Sequence, residues 1–317
     1  MTTPSALQLR HLLGLEDLNA DQITALLDLA AQMKAVNQRR IKKLPTLRGV
    51  TVLTFFVENS TRTKMSFELA AKRLSADTMG FAASTSSLSK GETLLDTARN
   101  LEAMAPDIVV IRHSSAGAPH FLAERLNCGV VNAGDGAHEH PTQGLLDLYT
   151  MREKLGDLTG KKVAIIGDIA HSRVARSNLH GLAKLGAQVH VAGPATMLPP
   201  GLEQFGCSVH ARAEPAIEGA DVVMMLRIQR ERQGNDLIPH AHEYHRFFGL
   251  DATRLKLAQP HALVMHPGPM NRGVEIAPEV ADGEQSVILQ QVENGVAVRM
   301  AVLYAVAATR GLDAAGG

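Results

Sequence analysis

Short apolar runs alternate along the chain with longer amphipathic ones, and this pattern predicts most of the elements. Asn19 with Gln22 has the form of a capping box, and Ile23, Leu26, Leu27, Ala30 and Met33 then recur at helical spacing, so a first helix runs to about Gln38. Residues 51–57 form a β-branched and aromatic run that reads as a strand, followed by a polar turn and an amphipathic stretch at 65–74. Strand-like runs at 108–111 and 129–132 alternate with helix-like segments at 94–104, 119–126 and 141–154. After a polar stretch at 156–162 a second series begins, with strands at 163–167, 188–191, 221–226 and 262–265 and a helix near 172–185. The apolar-periodic segment 286–310 reads as a last helix.

Strands alternating with helices imply right-handed βαβ units on parallel sheets. The expected fold is therefore α/β with two domains, each an open parallel sheet flanked by helices. The first covers residues 1–150 and the second 151–296, with the helix of about 297–317 packing back on the first domain. At 317 residues the chain is long enough for two cores. In open α/β sheets ligands bind beyond the carboxyl ends of the strands, which here are the loops holding Ser60, His113, His140, Asp168, Arg227 and His266.

Charge narrows the range of partners. Lys plus Arg number 32 and Asp plus Glu 32, so no global field draws in nucleic acid or an anionic membrane. Cys128 and Cys207 lie in no metal or disulfide spacing, which fits a reducing, cytoplasmic location. Arg10, His11, Glu16 and Asp17 interrupt the apolar N-terminus, which reads as neither signal peptide nor anchor, and no apolar run is expected to span a membrane.

The run Ser60-Thr61-Arg62-Thr63 between a strand and a helix start is an anion cradle: backbone amides and the helix dipole favour phosphate, and Arg62 offers parallel donors. This motif, ahead of the Ser66-Phe67-Glu68 helix, resembles the aspartate and ornithine carbamoyltransferase family, and the similarity extends over nearly the whole chain. The resemblance implies a carbamoyl-phosphate domain followed by an amino-acid domain, no metal or organic cofactor, and a homotrimer with shared sites. Ser60, Thr61, Arg62 and Thr63 would hold the phosphate.

Further residues take their roles from the same resemblance. Within the polar loop 84–93, Ser87 and Lys90 would reach a neighbouring subunit's site, with Ser86 and Ser89 as alternatives to Ser87. Arg112 would contact both phosphate and carbonyl oxygen, whereas His113 beside it reads as surface. His138 and His140 invite a metal reading, but no third ligand stands at a recognisable spacing and none is expected. His140-Pro141-Thr142-Gln143 is instead similar to the aspartate branch's signature, His140 donating to the carbonyl oxygen and Gln143 binding the carbamoyl nitrogen.

The glycine spacing of a dinucleotide fold is missing after Gly167, and Arg173 matches the family's arginine for an aspartate carboxylate. Arg227 and Gln229 would grip the β-carboxylate, a cation for which an ornithine site has no use. Backbone carbonyls of Gly268 and Pro269 would receive the substrate's amine and amide groups. The implied activity is carbamoyl transfer from carbamoyl phosphate to L-aspartate, the committed step of de novo pyrimidine (UMP) synthesis, with Arg62, Thr63, Arg112 and His140 catalytic. The alternatives are transfer to ornithine or an acylated ornithine, or a non-catalytic scaffold of the same fold. A dodecamer with regulatory or dihydroorotase-like chains is a further expectation.

Overall fold

The structure is a computed structural model that describes residues 7–82, 91–228 and 241–313. It divides into two compact units, Met1–Tyr149 with Glu293–Gly317, and Thr150–Val292.

In the first unit the chain runs α1 (Ala20–Asn37), β1 (Thr51–Phe56), α2 (Thr61–Arg73), β2 (Asp77–Ala82), α3 (Leu94–Glu102), β3 (Ile108–His113), α4 (Ala118–Ala123), β4 (Gly129–Asp135) and α5 (Pro141–Leu155), which from Thr150 on belongs to the second unit. Its sheet has the order β2-β1-β3-β4, every pair parallel. The capping box of α1 is present, Asn19 Oδ1 accepting from the Gln22 amide over 2.8 Å and Gln22 Oε1 from the Asn19 amide over 3.0 Å. Leu53, Phe55, Val109, Ile111 and Val130 bury one face of the sheet against Ala98, Leu122 and Leu126. Strand β2 was not expected: Asp77-Thr78-Met79-Gly80 shows no clean alternation, and its place at the sheet edge is set by pairing with β1.

The second unit continues with β5 (Lys162–Ile166), α6 (Arg173–Lys184), β6 (Gln188–Ala192), β7 (Ser208–His210), α7 (Ala213–Ile217), β8 (Val222–Met225), α8 (Ala241–Phe248), α9 (Ala252–Leu255), β9 (Leu263–Met265) and α10 (Pro278–Ala281). Its sheet is β7-β6-β5-β8-β9, again all parallel. Each sheet is thus the open parallel kind, flanked by helices. Gly167, φ +137°, ends β5 in a conformation that L side chains rarely adopt, and a Cβ on Gly193 would overlap its carbonyl oxygen, so two glycines let these chain segments pass closely.

Helix α11 (Ile288–Thr309) requires one correction. It is long and apolar enough to cross a membrane by length and composition, against the expectation that no run approaches that length, but 72% of its apolar window is buried in the protein. Glu293 and Arg299 break up the run in the sequence, while burial on most sides removes the usual polar face. From Glu293 onward α11 belongs to the first unit, where the Leu9 amide donates to Thr309 Oγ1 over 2.8 Å.

Candidate active site

The residues singled out on the first unit gather at the carboxyl ends of β1, β3 and β4. Helix α2 begins at Thr61, four residues before the expected amphipathic stretch, so Thr61, Arg62 and Thr63 form its first turn and Ser60 its N-cap. The Ser60 side chain makes no capping bond; its Oγ lies 3.0 Å from Thr63 Oγ1. The start of α2 thus presents amides, the positive end of a helix dipole and an exposed Arg62 in one turn, an arrangement suited to a phosphate-sized anion.

Arg112 lies beside this turn because β1 and β3 pair with Phe56 opposite Arg112, and its carbonyl accepts the amides of Val57 (2.9 Å) and Glu58 (3.2 Å). Its guanidinium is almost buried, donating to Ala133 O over 3.2 Å and to Glu58 Oε1 over 2.8 Å. Glu58 went unnoticed in the sequence, although a carboxylate two residues before an anion cradle was a signal that could have been weighed. Half-buried His113 does not simply face solvent: its Nδ1 accepts the Ser115 amide over 2.9 Å, and burial holds its pKa below the usual imidazole value.

His140 and Gln143, both buried, sit at the start of α5, where the His140 carbonyl accepts the Gln143 amide over 2.9 Å. Gln143 Nε2 donates to Asp147 Oδ1 over 3.0 Å, one turn along the same helix. Asp147 in turn faces Arg299 of α11, whose guanidinium donates to Ser66 Oγ over 2.9 Å and lies 5.2 Å from the Phe67 ring centre. Burial draws Arg299 down to about 10, Asp147 opposing and Arg112 adding to the fall, so a second, buried guanidinium acts on the field around Arg112.

The loop into His140 is anchored by Asp135 at the end of β4. Its carboxylate accepts from Asn132 Nδ2 (2.8 Å) and the amides of Gly117 (2.8 Å) and Glu139 (3.1 Å), and it faces His138 Nδ1 at 3.1 Å. Burial raises its pKa, but these hydrogen bonds outweigh burial and hold it below the usual carboxylate value.

On the second unit, Arg173 is the first residue of α6, almost wholly buried and preceded by Ser172, which caps the helix through the Ala175 amide (3.1 Å). Half-buried Arg227 follows β8, the neighbour of β5. After β9, next along, comes the turn of Gly268 and Pro269. This turn is fixed from within: the Gly268 amide donates to His266 Nδ1 (2.8 Å), so His266 Nε2 carries the proton and donates to Glu275 Oε1 (3.0 Å), which also accepts the Asn271 amide (2.5 Å). Asn271 Nδ2 reaches Ile228 O over 3.2 Å, tying the loops after β8 and β9 together. Arg173, Arg227, Gly268 and Pro269 therefore occupy one end of this sheet. Ser87, Lys90 and Gln229 lie outside the described residues.

Comparison with known proteins finds two family domains along the chain, the second of which extends into the part of α11 that belongs to the first unit. The aspartate/ornithine carbamoyltransferase carbamoyl-P binding domain matches residues 10–153, and the Asp/Orn binding domain of the same family matches residues 159–306. This chain belongs to the aspartate/ornithine carbamoyltransferase family. An aspartate carbamoyltransferase catalytic subunit of Syntrophotalea carbinolica is 62% identical over 304 residues, covering 96% of this chain and 97% of that one. Among solved structures, aspartate transcarbamoylase from Trypanosoma cruzi in complex with carbamoyl phosphate and aspartate matches at 30% identity with TM-score 0.84, covering 96% of this chain and 99% of that one. An ornithine carbamoyltransferase from Pyrococcus furiosus is as similar in fold, with TM-score 0.85 at 30% identity over 95% of this chain and 97% of that one. Within the carbamoyltransferase family the backbone therefore does not separate the two amino acids, and the discrimination has to come from side chains.

Proposed function

We infer that this chain transfers the carbamoyl group of carbamoyl phosphate to the amino group of L-aspartate, giving N-carbamoyl-L-aspartate and phosphate, the pyrimidine-forming branch of the family's chemistry. The observation that carries the reading is the placement of Arg173 and Arg227 after the adjacent strands β5 and β8, two permanent cations suited to a dicarboxylate. An ornithine ammonium would be repelled there.

In the reaction the aspartate amine attacks the carbamoyl carbon, a C–N bond forms and negative charge collects on the carbonyl oxygen. We assign that charge to Thr63, Arg112 and His140, and the phosphate to Ser60, Thr61, Arg62 and Thr63. Gln143 would receive the carbamoyl nitrogen, and the carbonyls of Gly268 and Pro269 the amine and amide hydrogens. The bond to phosphate then breaks, and the amine proton passes to a phosphate oxygen. Positioning and charge stabilisation are enough for such a step, without a covalent enzyme intermediate.

One assay tests the substrate: carbamoyl phosphate with aspartate, ornithine or N-acetylornithine. Product from aspartate alone is expected; turnover of ornithine, or of none of them, would overturn the reading. We further propose a homotrimer in which Ser87, Lys90 and Gln229 complete the substrate contacts, Ser87 and Lys90 from a neighbouring copy, and a cytoplasmic location supported by two buried free thiols. Native mass spectrometry checks the assembly, and added regulatory or dihydroorotase-like chains would show as larger masses.

A further inference from the structure

The bond between His266 and Glu275 uses only half of a buried carboxylate. Glu275 Oε1 accepts from His266 and from the Asn271 amide, whereas Glu275 Oε2 accepts no hydrogen bond among the described residues, although the side chain is fully enclosed. The hydroxyl of Tyr244, on α8, stands in the same condition: the residue is buried, and its Oη has no hydrogen-bond partner among the described residues. Buried polar atoms are nearly always paired, so a donor and an acceptor left open in one region of the second unit call for a reason.

The fold brings the two residues to one place. Around Tyr244, α8 is tied to the segment of Glu275 at two points, His245 Nδ1 donating to Val274 O over 3.0 Å and the Leu250 amide to Glu275 O over 2.9 Å. The Tyr244 ring packs in a cluster with Met197 and Ile228, against Phe248 and Val274. Its hydroxyl reaches the carboxyl ends of β5 and β8, because a Cβ on Gly167 would stand 3.3 Å from Tyr244 Oη and 3.0 Å from Leu226 Cβ. That end of the sheet carries Arg173 and Arg227, and the turn of Gly268 and Pro269 follows β9 beside them.

Charge selects the partner. Burial first, then the negative charges of Glu275 and Asp168, push the Tyr244 hydroxyl well above the usual phenol range, so it keeps its proton and meets a carboxylate only as a donor. Asp168 is already engaged, its Oδ1 accepting the His171 amide (3.1 Å) and both its oxygens facing His171 Nδ1 (2.9 and 3.1 Å). Of the two carboxylates, Glu275 is the one with an oxygen to offer, and a hydroxyl on a carboxylate makes a bond of the strong, charge-assisted kind.

Taking aspartate as the substrate, as inferred above, we propose that Tyr244 is a positioning residue: when aspartate binds, its hydroxyl donates to Glu275 Oε2 and fixes, through Glu275 and His266, the turn whose Gly268 and Pro269 carbonyls receive the substrate's amine. The two groups stand unbonded in this structure, and a ligand shifts such a pair toward bonding only as far as it binds the bonded arrangement better. Tyr244 touches no reacting atom. It therefore acts on the affinity for aspartate and leaves the phosphate half of the chemistry unchanged.

The test is Tyr244→Phe, which deletes the hydroxyl and keeps the ring. The expected result is a KM for aspartate at least about tenfold higher, with kcat, phosphate affinity and the urea midpoint close to those of the parent. Adding Tyr244→Phe to Glu275→Gln should raise KM no further than Glu275→Gln alone, as expected of two groups that act as one. The chain has 3 tyrosines and no tryptophan, so ultraviolet difference absorption reads the phenol directly. Succinate, a dicarboxylate without the attacking amine, added in the presence of phosphate should evoke a tyrosine difference spectrum that is largely lost in Tyr244→Phe. An unchanged KM in Tyr244→Phe, additive effects in the double variant, a spectrum that survives the substitution, or a parallel loss of phosphate affinity and stability would overturn the proposal alone. A parent chain that neither turns over aspartate nor responds to succinate would overturn the substrate reading, and the proposal with it.

Discussion

Arg112 Nη2 donates to Glu58 Oε1 over 2.8 Å, so the guanidinium at the end of β3 is already held by a carboxylate from the loop that leads into the anion cradle. A phosphate bound as proposed would have to share Arg112 with Glu58 or take it over. The pair is largely sheltered, and at such separations the carboxylate both orients the fork and cancels part of its charge.

Glu58→Gln removes the competing charge while keeping an oxygen to accept the bond. Inorganic phosphate should bind up to about tenfold tighter, because the field at the start of α2 becomes more positive. Turnover should fall by up to about tenfold, because a neutral acceptor holds the fork less firmly than a carboxylate does. Phosphate titration together with steady-state kinetics checks both; weaker phosphate binding would show that Glu58 only orients.

His140→Ala should lower kcat by about 10² to 10³, the usual cost of one donor to a developing oxyanion, with little change in phosphate affinity. Arg62→Ala should cost more, since it acts on the leaving phosphate as well, and should weaken phosphate binding directly. Near-parental turnover in a folded Arg62→Ala variant would remove that residue from the mechanism.

The residues of these predictions were legible in the sequence to different degrees. Strong periodicity and end signals made α1, α5 and α11 readable, as the observed capping box of α1 illustrates. The start of α2 was less so: Thr61, Arg62, Thr63 and Lys64 look like a polar turn, and only the fold shows them as a helical first turn. Partners were the least legible. Glu58 is 54 positions from Arg112, and Asp147 and Arg299 meet through tertiary packing that no local pattern encodes. His266 was visible as a turn residue, but nothing in the sequence connected it to Glu275.

That last pair carries a stability prediction. His266 and Glu275 are both fully enclosed, and Glu275 Oε1 accepts from His266 and from the Asn271 amide. Glu275→Ala strands both donors and should destabilise the second unit by about 2 to 4 kcal/mol, measured by urea unfolding. Because the turn of Gly268 and Pro269 loses its internal brace, the KM for aspartate should rise while phosphate affinity holds. A rise in phosphate dissociation as large as that in aspartate KM would indicate general unfolding instead.

Cys128 gives a prediction with a pH sign. Its thiol is buried beside β4, and burial first, then the negative charges of Glu102 and Asp107, push it up to about 11, against the pull of Arg310 and a backbone hydrogen bond. At pH 8 the thiolate is then about one part in a thousand, against about one in ten for a thiol near 9, so alkylation should run at least about a hundredfold slower in the folded chain than in urea. Since the folded pKa is raised, the stability that the neutral thiol contributes is whole below about pH 9 and is lost as pH rises toward 11. Cys128→Ala should therefore flatten the fall in unfolding free energy between pH 9 and 11. Mass spectrometry of iodoacetamide-treated protein locates the label, and rapid labelling of Cys128 in folded protein at pH 8 would contradict the assignment.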